Sequence, residues 1–381
     1  MRIELDGMEL TMNGAPKGKE SLEILGGQPN PPLSQFLFSQ LGLMHLVAPC
    51  LPDAIETNFL VSPEMRNLID AMYASEDHPL PRFKKSKMNA TTSSFVVPKT
   101  SPRKAVVAFS AGKDSLWNVW WAEETYGKGN VLLVHIDGLN KGNAKQERLA
   151  TESQACQLGF EKLKIVHLRN NCRNNGHRTM VSRDMFMMAP IIPYALEVGA
   201  STIITEGFAE SDADELFTGQ EENMRLFNRT LRGLGIPVQV AWRNRDEAGV
   251  IGDLIEHRPR WVSLICNCFM PPHWRAGHRK LWEKRTPQFP LDPYSCGVCP
   301  KCKRLLLARI AGSDPMLKHV PREQVMKFLA LIMGWMRNKR SWRYADTITP
   351  SFIKDMQTAC ERYGLMAEFR KSHERYLQSA T

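Results

Sequence analysis

The run Ser110-Ala111-Gly112-Lys113-Asp114-Ser115 follows the apolar stretch Lys104 to Phe109 and precedes a helical pattern, and it constrains the chain more than any other segment. Small residues between a strand and a helix let backbone N–H groups close around an anion. The positive end of the following helix adds roughly 0.3 to 1 kcal/mol per charge when exposed. Ser110 and Ser115 supply hydroxyl donors, and Asp114 supplies a carboxylate for a metal ion on the phosphates. With residues at average usage, Ser-x-Gly-x-Asp-Ser arises by chance in on the order of 0.01 chains of this length. Neither Gly-x-x-x-x-Gly-Lys-Ser/Thr nor a Gly-x-Gly-x-x-Gly after a strand occurs. The alternative to a phosphate cradle is an ordinary strand-to-helix turn that uses glycine.

A second motif is Cys296-Gly297-Val298-Cys299-Pro300-Lys301-Cys302, with Cys266-Asn267-Cys268 upstream. Three thiols at two-residue intervals plus a fourth from a distant loop suit tetrahedral zinc. A redox motif would open a helix beside a βαβ unit as a single Cys-x-x-Cys pair, which fits less well. His273 and His278 are also ligand types, yet four cysteines already complete the shell.

The first motif resembles the pyrophosphatase loop, Ser-Gly-Gly-x-Asp-Ser, of PP-loop ATP pyrophosphatases, which adenylate a substrate and release pyrophosphate. Ala111 stands at the first glycine of that pattern. It keeps its N–H but restricts positive φ, so the loop is expected to hold if this residue is not left-handed. Both motifs together resemble the 7-cyano-7-deazaguanine synthase family over about Lys104 to Ile310. That family's Cys-Tyr-x-Pro context is matched by Cys268-Phe269-Met270-Pro271, so the resemblance implies Cys268, Cys296, Cys299 and Cys302 as zinc ligands, with Cys266 the alternative first ligand. Val181-Ser182-Arg183-Asp184-Met185-Phe186 and Gly207 to Asp212 echo two further stretches. The chain departs from the family at Leu216-Phe217-Thr218-Gly219-Gln220, where a Tyr-Pro-Asp-x-Arg signature is absent. It departs again in the long insertion from Pro271 to Ser295 and over roughly the first hundred residues.

Composition and length set the frame. A chain of 381 residues supports two or three domains. Its polar N-terminus and the lack of a long apolar run give no reason to expect a signal peptide or a membrane span. Nine cysteines, five of them clustered, argue for a reducing, cytoplasmic setting. The formal charge of +10 suits polyanions such as ATP or nucleic acid without choosing between them. Basic runs at Arg82 to Lys87, Arg275 to Arg285 and Arg337 to Arg343, the last two interleaved with Trp274, Trp282 and Trp342, read either as stacking and phosphate contacts or as solvated faces with anchoring tryptophans.

The pattern predicts an α/β fold: a doubly wound parallel sheet, which the resemblance specifies as the adenine nucleotide alpha-hydrolase-like, PP-loop type, with a zinc-binding insertion, an N-terminal extension and a helical C-terminal region. Strands are expected at Ala105 to Phe109, Val131 to Ile136, Leu163 to Leu168, Thr202 to Thr205 and Val238 to Trp242. Helices are expected at Ser115 to Tyr126, Ala144 to Leu158, Asp184 to Val198 and Glu221 to Leu234. Residues 1–75 form the extension, with an edge hairpin over Met1 to Met12 and helices at Leu33 to Val47 and Pro63 to Tyr73. Residues 76–103 are a linker, 104–260 the ATP pyrophosphatase domain, 261–312 the zinc segment and 313–381 the helical region, with a buried helix over Val325 to Met336. Ligands of such sheets sit beyond the carboxyl ends of the strands, where the loops beginning at Ser110, Asp137, Arg169 and Glu206 converge.

Ser110, Ala111, Gly112, Lys113, Asp114 and Ser115 are therefore the ATP and Mg2+ set, with Asp114 and Ser115 also catalytic. Lys113 reads either as a charge contact to ATP or as a solvent-facing lysine. Arg183 reads either as a catalytic contact to phosphate or adenylate or as a helix-surface arginine. Glu206 and Asp212, within the acidic run that includes Glu210, Asp214 and Glu215, are candidates for a guanine-like base or a second magnesium; helix N-terminal charge complementarity is the alternative for the acids other than Asp212. Cys172 and His177 are read as incidental, and Cys156 as a core residue.

The resemblance implies an ATP-dependent C–N ligase. A carboxylate, 7-carboxy-7-deazaguanine or an analogue, would be adenylated and then displaced by an amine to give an amide. The family uses ammonia and proceeds to the nitrile; similar proteins occur in bacterial anti-phage cassettes, so an amine of a partner protein is the other acceptor. The competing classes are a tRNA-modifying PP-loop enzyme, which predicts salt-sensitive RNA binding, and a nucleotide-binding scaffold without turnover.

Overall fold

A computed structural model of the chain describes residues 1–15, 18–84, 97–139, 144–172, 177–206, 217, 220–243, 245–266, 268, 272–285, 289, 295–337 and 348–378. The chain divides into two compact units, Met1–Ser110 with Trp121–Arg243, and Ala111–Trp120 with Asn244–Thr381. Among the described residues the elements run β1 (Arg2–Asp6), β2 (Glu9–Ala15), β3 (Gly18–Leu25), α1 (Pro31–Val47), β4 (Ala54–Thr57), α2 (Pro63–Ser75), β5 (Arg82–Lys84) and β6 (Ser101–Ala108). They continue as α3 (Lys113–Tyr126), β7 (Val131–Asp137), α4 (Ala144–Gln157), β8 (Leu163–Asn170), α5 (His177–Glu197), β9 (Ala200–Glu206), α6 (Glu221–Gly233) and β10 (Gln239–Arg243). The second unit continues through α7 (Glu247–His257), α8 (Pro259–Val262), α9 (Pro272–Arg285), α10 (Pro300–Ala311), α11 (Arg322–Arg337), α12 (Pro350–Tyr363) and α13 (Met366–Gln378).

All ten strands belong to one mostly parallel sheet in the first unit, ordered β10-β9-β6-β7-β8-β3-β2-β1-β4-β5. Its all-parallel stretch β10-β9-β6-β7-β8 is built from apolar runs rich in β-branched residues, such as Ala105-Val106-Val107 and Ile203-Ile204. Such runs are buried on both faces, as strands linked by helical crossovers must be. Within the five strands β6 to β10, β6 has β7 on one side and β9 on the other, so the strand order reverses between β6 and β9. A crevice beyond the carboxyl ends of the strands at such a reversal is where open α/β sheets bind ligands. The chain leaves β6 there through Phe109 and Ser110.

The N-terminal segment differs from expectation. The hairpin β1–β2 forms, but it is interior: β1 also pairs with β4, and β3, which the sequence reading did not identify, joins β2 to β8 in antiparallel register. Residues 1–75 thus extend the same sheet, and the stretch read as a linker supplies β5 and the start of β6. Helix α1 is covered almost all round, with Leu37, Phe38, Leu41 and Met44 buried in the same core as Phe186 and Ile192 of α5. Helix α4 shows a smaller correction. Cys156, read as a core residue, lies seven residues after Leu149 and so on the same face, but that face is the exposed one, while Ala150, Thr151, Gln154 and Ala155 are buried.

The second unit has its own core. Trp282, Phe289 and Phe328 meet with ring centroids 5.7 to 6.3 Å apart, together with Leu306, Leu307, Ile332, Met336, Phe352 and Met356. Helix α11 presents Val325, Phe328, Leu329, Ile332, Met333 and Met336 to it, the buried helix that the Val325 to Met336 pattern predicts. Trp282 is thereby consumed by packing and does not offer its ring to a base; Trp274 and Trp342 lie outside the residues whose side chains are described. Among the described residues, no helix is long and apolar enough to cross a membrane.

Candidate functional site

The Ser110 loop is shaped by one backbone feature. Ala111 has φ 62°, in the left-handed region, and is fully buried, whereas Gly112 has no positive φ. The condition under which the loop is expected to hold, a residue 111 that is not left-handed, is therefore not met. An L residue with a Cβ bears this conformation at a cost of about 1 to 2 kcal/mol. A left-handed residue ahead of a helical turn curls successive N–H groups into an anion-binding concavity. The chain then enters α3 at Lys113, with Leu116 N–H bonded to the Gly112 carbonyl and the Ser115 hydroxyl donating to that same carbonyl at 3.0 Å. The Ala111 carbonyl accepts from the Cys266 N–H at 2.9 Å.

Lys113 is buried, which corrects the solvent-facing alternative. Its Nζ donates to both carboxylate oxygens of Asp114, at 2.8 and 2.7 Å, and lies 3.3 Å from Glu247 Oε1. Arg304 completes the group from α10, with Nη2 3.1 Å from Glu247 Oε1 and Nε donating to Oε2 at 3.3 Å. Burial works to discharge Lys113, but the carboxylates of Asp114 and Glu247 outweigh it and hold the ammonium above the ordinary lysine range. Burial likewise opposes ionisation of Glu247, and Lys113 and Arg304 overcome it, so that carboxyl sits below its usual range. Two cations and two carboxylates here form a neutral quartet of which Asp114, half-buried, is the most accessible member. Sequence reasoning found Lys113 and Asp114 but missed Glu247 and Arg304, since neither lies in a motif.

The four-cysteine group lies in the same unit. The sulfurs of Cys268, Cys296, Cys299 and Cys302 all fall within 4.8 Å of one another and all four residues are buried. Cys266 is outside the group; its backbone holds Ala111 instead. The local chain explains the geometry: Cys299 caps α10 by accepting from the Cys302 N–H at 3.4 Å, with Pro300 opening the helix. Cys296 accepts from the Cys299 N–H at 3.3 Å, and Cys302 from the Cys296 N–H at 3.3 Å. Hydrogen bonds from the other three thiols hold Cys296 below its ordinary range, while Cys299 and Cys302 are pushed above theirs. Four thiolates at this spacing repel one another, and a dication removes the conflict. Such a group can hold a metal ion such as zinc. None of the nine cysteines is in a disulfide.

In the first unit, Arg183 is neither a free helix-surface arginine nor unengaged. Its Nε donates to Asp184 Oδ1 at 2.9 Å and its Nη2 lies 3.6 Å from Glu206 Oε1 at the end of β9. Asp184 is 1% exposed, and its second oxygen has no hydrogen-bond partner among the described residues. Preceding it, Ser182 meets His45 of α1 at 3.1 Å; the imidazole is stacked on Phe186 with centroids 4.8 Å apart. Burial, aided by Arg183, pushes His45 down to about 4, so it is neutral at ordinary pH. This gives α1 a task that the sequence did not reveal: it fixes the turn of α5 that carries Arg183. On β7, His135 Nδ1 donates to the Phe109 carbonyl at 3.0 Å, steadying the residue before Ser110. Cys172 is buried against the Ser21 carbonyl, as an incidental thiol would be. Asp212, with Glu210, Asp214 and Glu215, and the side chain of His177 lie outside what is described.

Fold and site together define an α/β protein with a mostly parallel sheet and a buried cysteine group able to bind metal. Comparison with protein-family models finds no match to the chain, and comparison with curated proteins finds none either.

Proposed function

We propose that this protein is an ATP-dependent C–N ligase of the PP-loop pyrophosphatase type. It adenylates a carboxylate on a 7-deazaguanine-type base, 7-carboxy-7-deazaguanine or an analogue, with release of diphosphate, and an amine then displaces the adenylate to form an amide. Chemistry motivates the order: an amine cannot expel oxide from a carboxylate unaided, whereas AMP is a competent leaving group. The observation that carries the reading is the Ser110–Ser115 turn. It leaves β6 where the strand order reverses, curls at a left-handed Ala111 and opens α3 at Lys113.

The residues present fit the reactants. Backbone N–H groups at the start of α3 suit phosphate, and Asp114, the more accessible carboxylate of the quartet, suits Mg2+. Bound there, the metal would supply charge neutralisation for the departing diphosphate. Ser115 stiffens the turn through its bond to the Gly112 carbonyl. Zinc suits the cysteines quantitatively: sulfurs about 2.3 Å from a tetrahedral ion stand about 3.8 Å apart. The Cys296 and Cys302 sulfurs are separated by 3.9 Å. The ion's role is structural, and the Cys266 bond to Ala111 ties that segment to the phosphate turn.

The test is incubation of the full chain with ATP, Mg2+, the carboxylated base, and either ammonia or protein amines, followed by mass spectrometry and diphosphate release. The expected result is AMP, diphosphate and an amide, lowered about 100-fold or more by Asp114→Asn, on the scale of losing a preorganised charge-stabilising group. Absence of nucleotide cleavage with any acid offered overturns the reading. A product formed only on tRNA replaces it with the RNA-modifying one.

A further inference from the structure

The geometry points to Glu247 as a positioning residue that frees Asp114 for a divalent cation by taking over the Lys113 ammonium; this rests on the reading of the Ser110 turn as an ATP site. Asp114 is already occupied. Both of its oxygens accept from Lys113 Nζ, at 2.8 and 2.7 Å, so the half-buried carboxylate of the turn is closed by a cation from the adjacent residue. Mg2+ binds carboxylate oxygen at about 2.0 to 2.1 Å. An ammonium hydrogen-bonded to the same oxygens would face that dication at close range, and like charges at such a distance cannot both be accommodated. Lys113 must therefore leave Asp114 before a divalent cation can settle on it.

Where the ammonium can go is set by its burial. Lys113 is 6% exposed, so it cannot swing out to water without dismantling its surroundings. Glu247 Oε1 is already 3.3 Å from Nζ, so the ammonium can turn from Asp114 onto Glu247 without leaving the interior. Arg304 explains why this pair is not already the tighter one. It contacts both Glu247 oxygens, at 3.1 and 3.3 Å, so Glu247 competes for Lys113 with part of its charge spent. The result is a graded arrangement: the ammonium rests on Asp114 and keeps a waiting partner in Glu247.

Mn2+ binding to the full chain, followed by electron paramagnetic resonance at saturating α,β-methylene ATP, tests this without turnover. Glu247→Gln, which keeps the shape and removes the charge, is expected to weaken Mn2+ binding about 10-fold, the scale of coupling between contacting charged residues. Lys113→Met is expected to bind Mn2+ at least as tightly as wild type, and the double variant Lys113→Met/Glu247→Gln to return to within about 3-fold of it, because no ammonium remains to be moved. A purely structural Glu247 predicts no such rescue. Unchanged binding in Glu247→Gln, weakened binding in Lys113→Met, or a defect that the double variant does not repair overturns the assignment and leaves the nucleotide site standing. If Glu247→Gln does not fold, Glu247→Asp, which keeps the charge but shortens its reach to Lys113, takes its place, with the same expected weakening of Mn2+ binding and the same repair by Lys113→Met. Failure of the wild-type chain to bind the nucleotide analogue overturns the ATP reading and this assignment together.

Discussion

The cysteine group and the Ser110 turn are held in place by opposite means. The cysteines are organised by their own neighbourhood: the Cys296 N–H bonds to Cys302, that of Cys299 to Cys296 and that of Cys302 to Cys299, and the start of α10 fixes the last two. The turn depends on chain remote from it. Its ammonium is balanced by Glu247 of α7 and, through it, by Arg304 of α10, and its Ala111 carbonyl is held by Cys266. A locally closed site concentrates its free energy in one ion. A site held by remote charges spreads it over several weak terms, each open to adjustment. The first suits a structural role and the second suits a site that must change partners.

Removing one cysteine should give the largest effect and break the comparison if it does not. Cys296 is fully buried and accepts hydrogen bonds from its group, so Cys296→Ser is expected to abolish zinc binding, read as metal per chain by atomic emission. Apparent binding free energies of roughly 10 to 16 kcal/mol are typical of such sites, more than most domains hold in reserve. The variant should therefore lose the cooperative unfolding of the second unit, followed by limited proteolysis within α9 and α10. Full metal content with unchanged proteolysis would remove the ion from the account of this region.

A second, smaller effect lies behind the turn. Asp355 of α12 is 2% exposed, and its Oδ1 has no hydrogen-bond partner among the described residues. Burial first, then the charges of Glu247 and Asp246, push it up to about 8, with Arg304 and Lys354 pulling the other way. The sign follows from proton counting. Between 3.8 and about 8 the folded chain keeps a proton that the unfolded chain has released, so stability falls as pH rises through that window. The slope approaches about 1.4 kcal/mol per pH unit for one group. Asp355→Asn should flatten it, raising the unfolding midpoint relative to wild type at pH 8 and leaving the two close at pH 4. Parallel midpoints across that range would show that Asp355 is ionised in the folded chain.

These contrasts also explain what could be read from residues alone. The strand–turn–helix unit at Ser110 and the Cys-x-x-Cys-x-x-Cys run are contiguous, and the five parallel strands β6 to β10 carry their apolar runs openly. The strand β3 did not show itself: Gly18-Lys19-Glu20-Ser21-Leu22-Glu23-Ile24-Leu25 opens, after Gly18, with three consecutive polar residues that break the alternation of a strand, and its pairing to β8 is a long-range event. Glu247, Arg304 and His45 were equally hidden, because each acquires meaning only from a partner far along the chain. Lys113 looked ambiguous for the same reason; its burial is decided by α7, not by the motif. In α4 the periodicity gave the right shared face for Leu149 and Cys156 but could not say which way that face turned.

The smallest effect probes the turn's backbone directly. Ala111 pays a steric cost of about 1 to 2 kcal/mol for its left-handed φ of 62°, because its Cβ crowds the following carbonyl. Glycine removes that conflict but adds freedom to the unfolded chain, worth roughly 0.4 to 1 kcal/mol in the other direction. Ala111→Gly should therefore stabilise the protein by a net of about 0.5 to 1 kcal/mol in denaturant unfolding. Ala111→Val adds a branched Cβ in a fully buried place and should destabilise by more than glycine gains. If glycine is instead destabilising, residue 111 is right-handed in solution, the curl ahead of α3 is lost, and the turn must bind anions through the helix start alone.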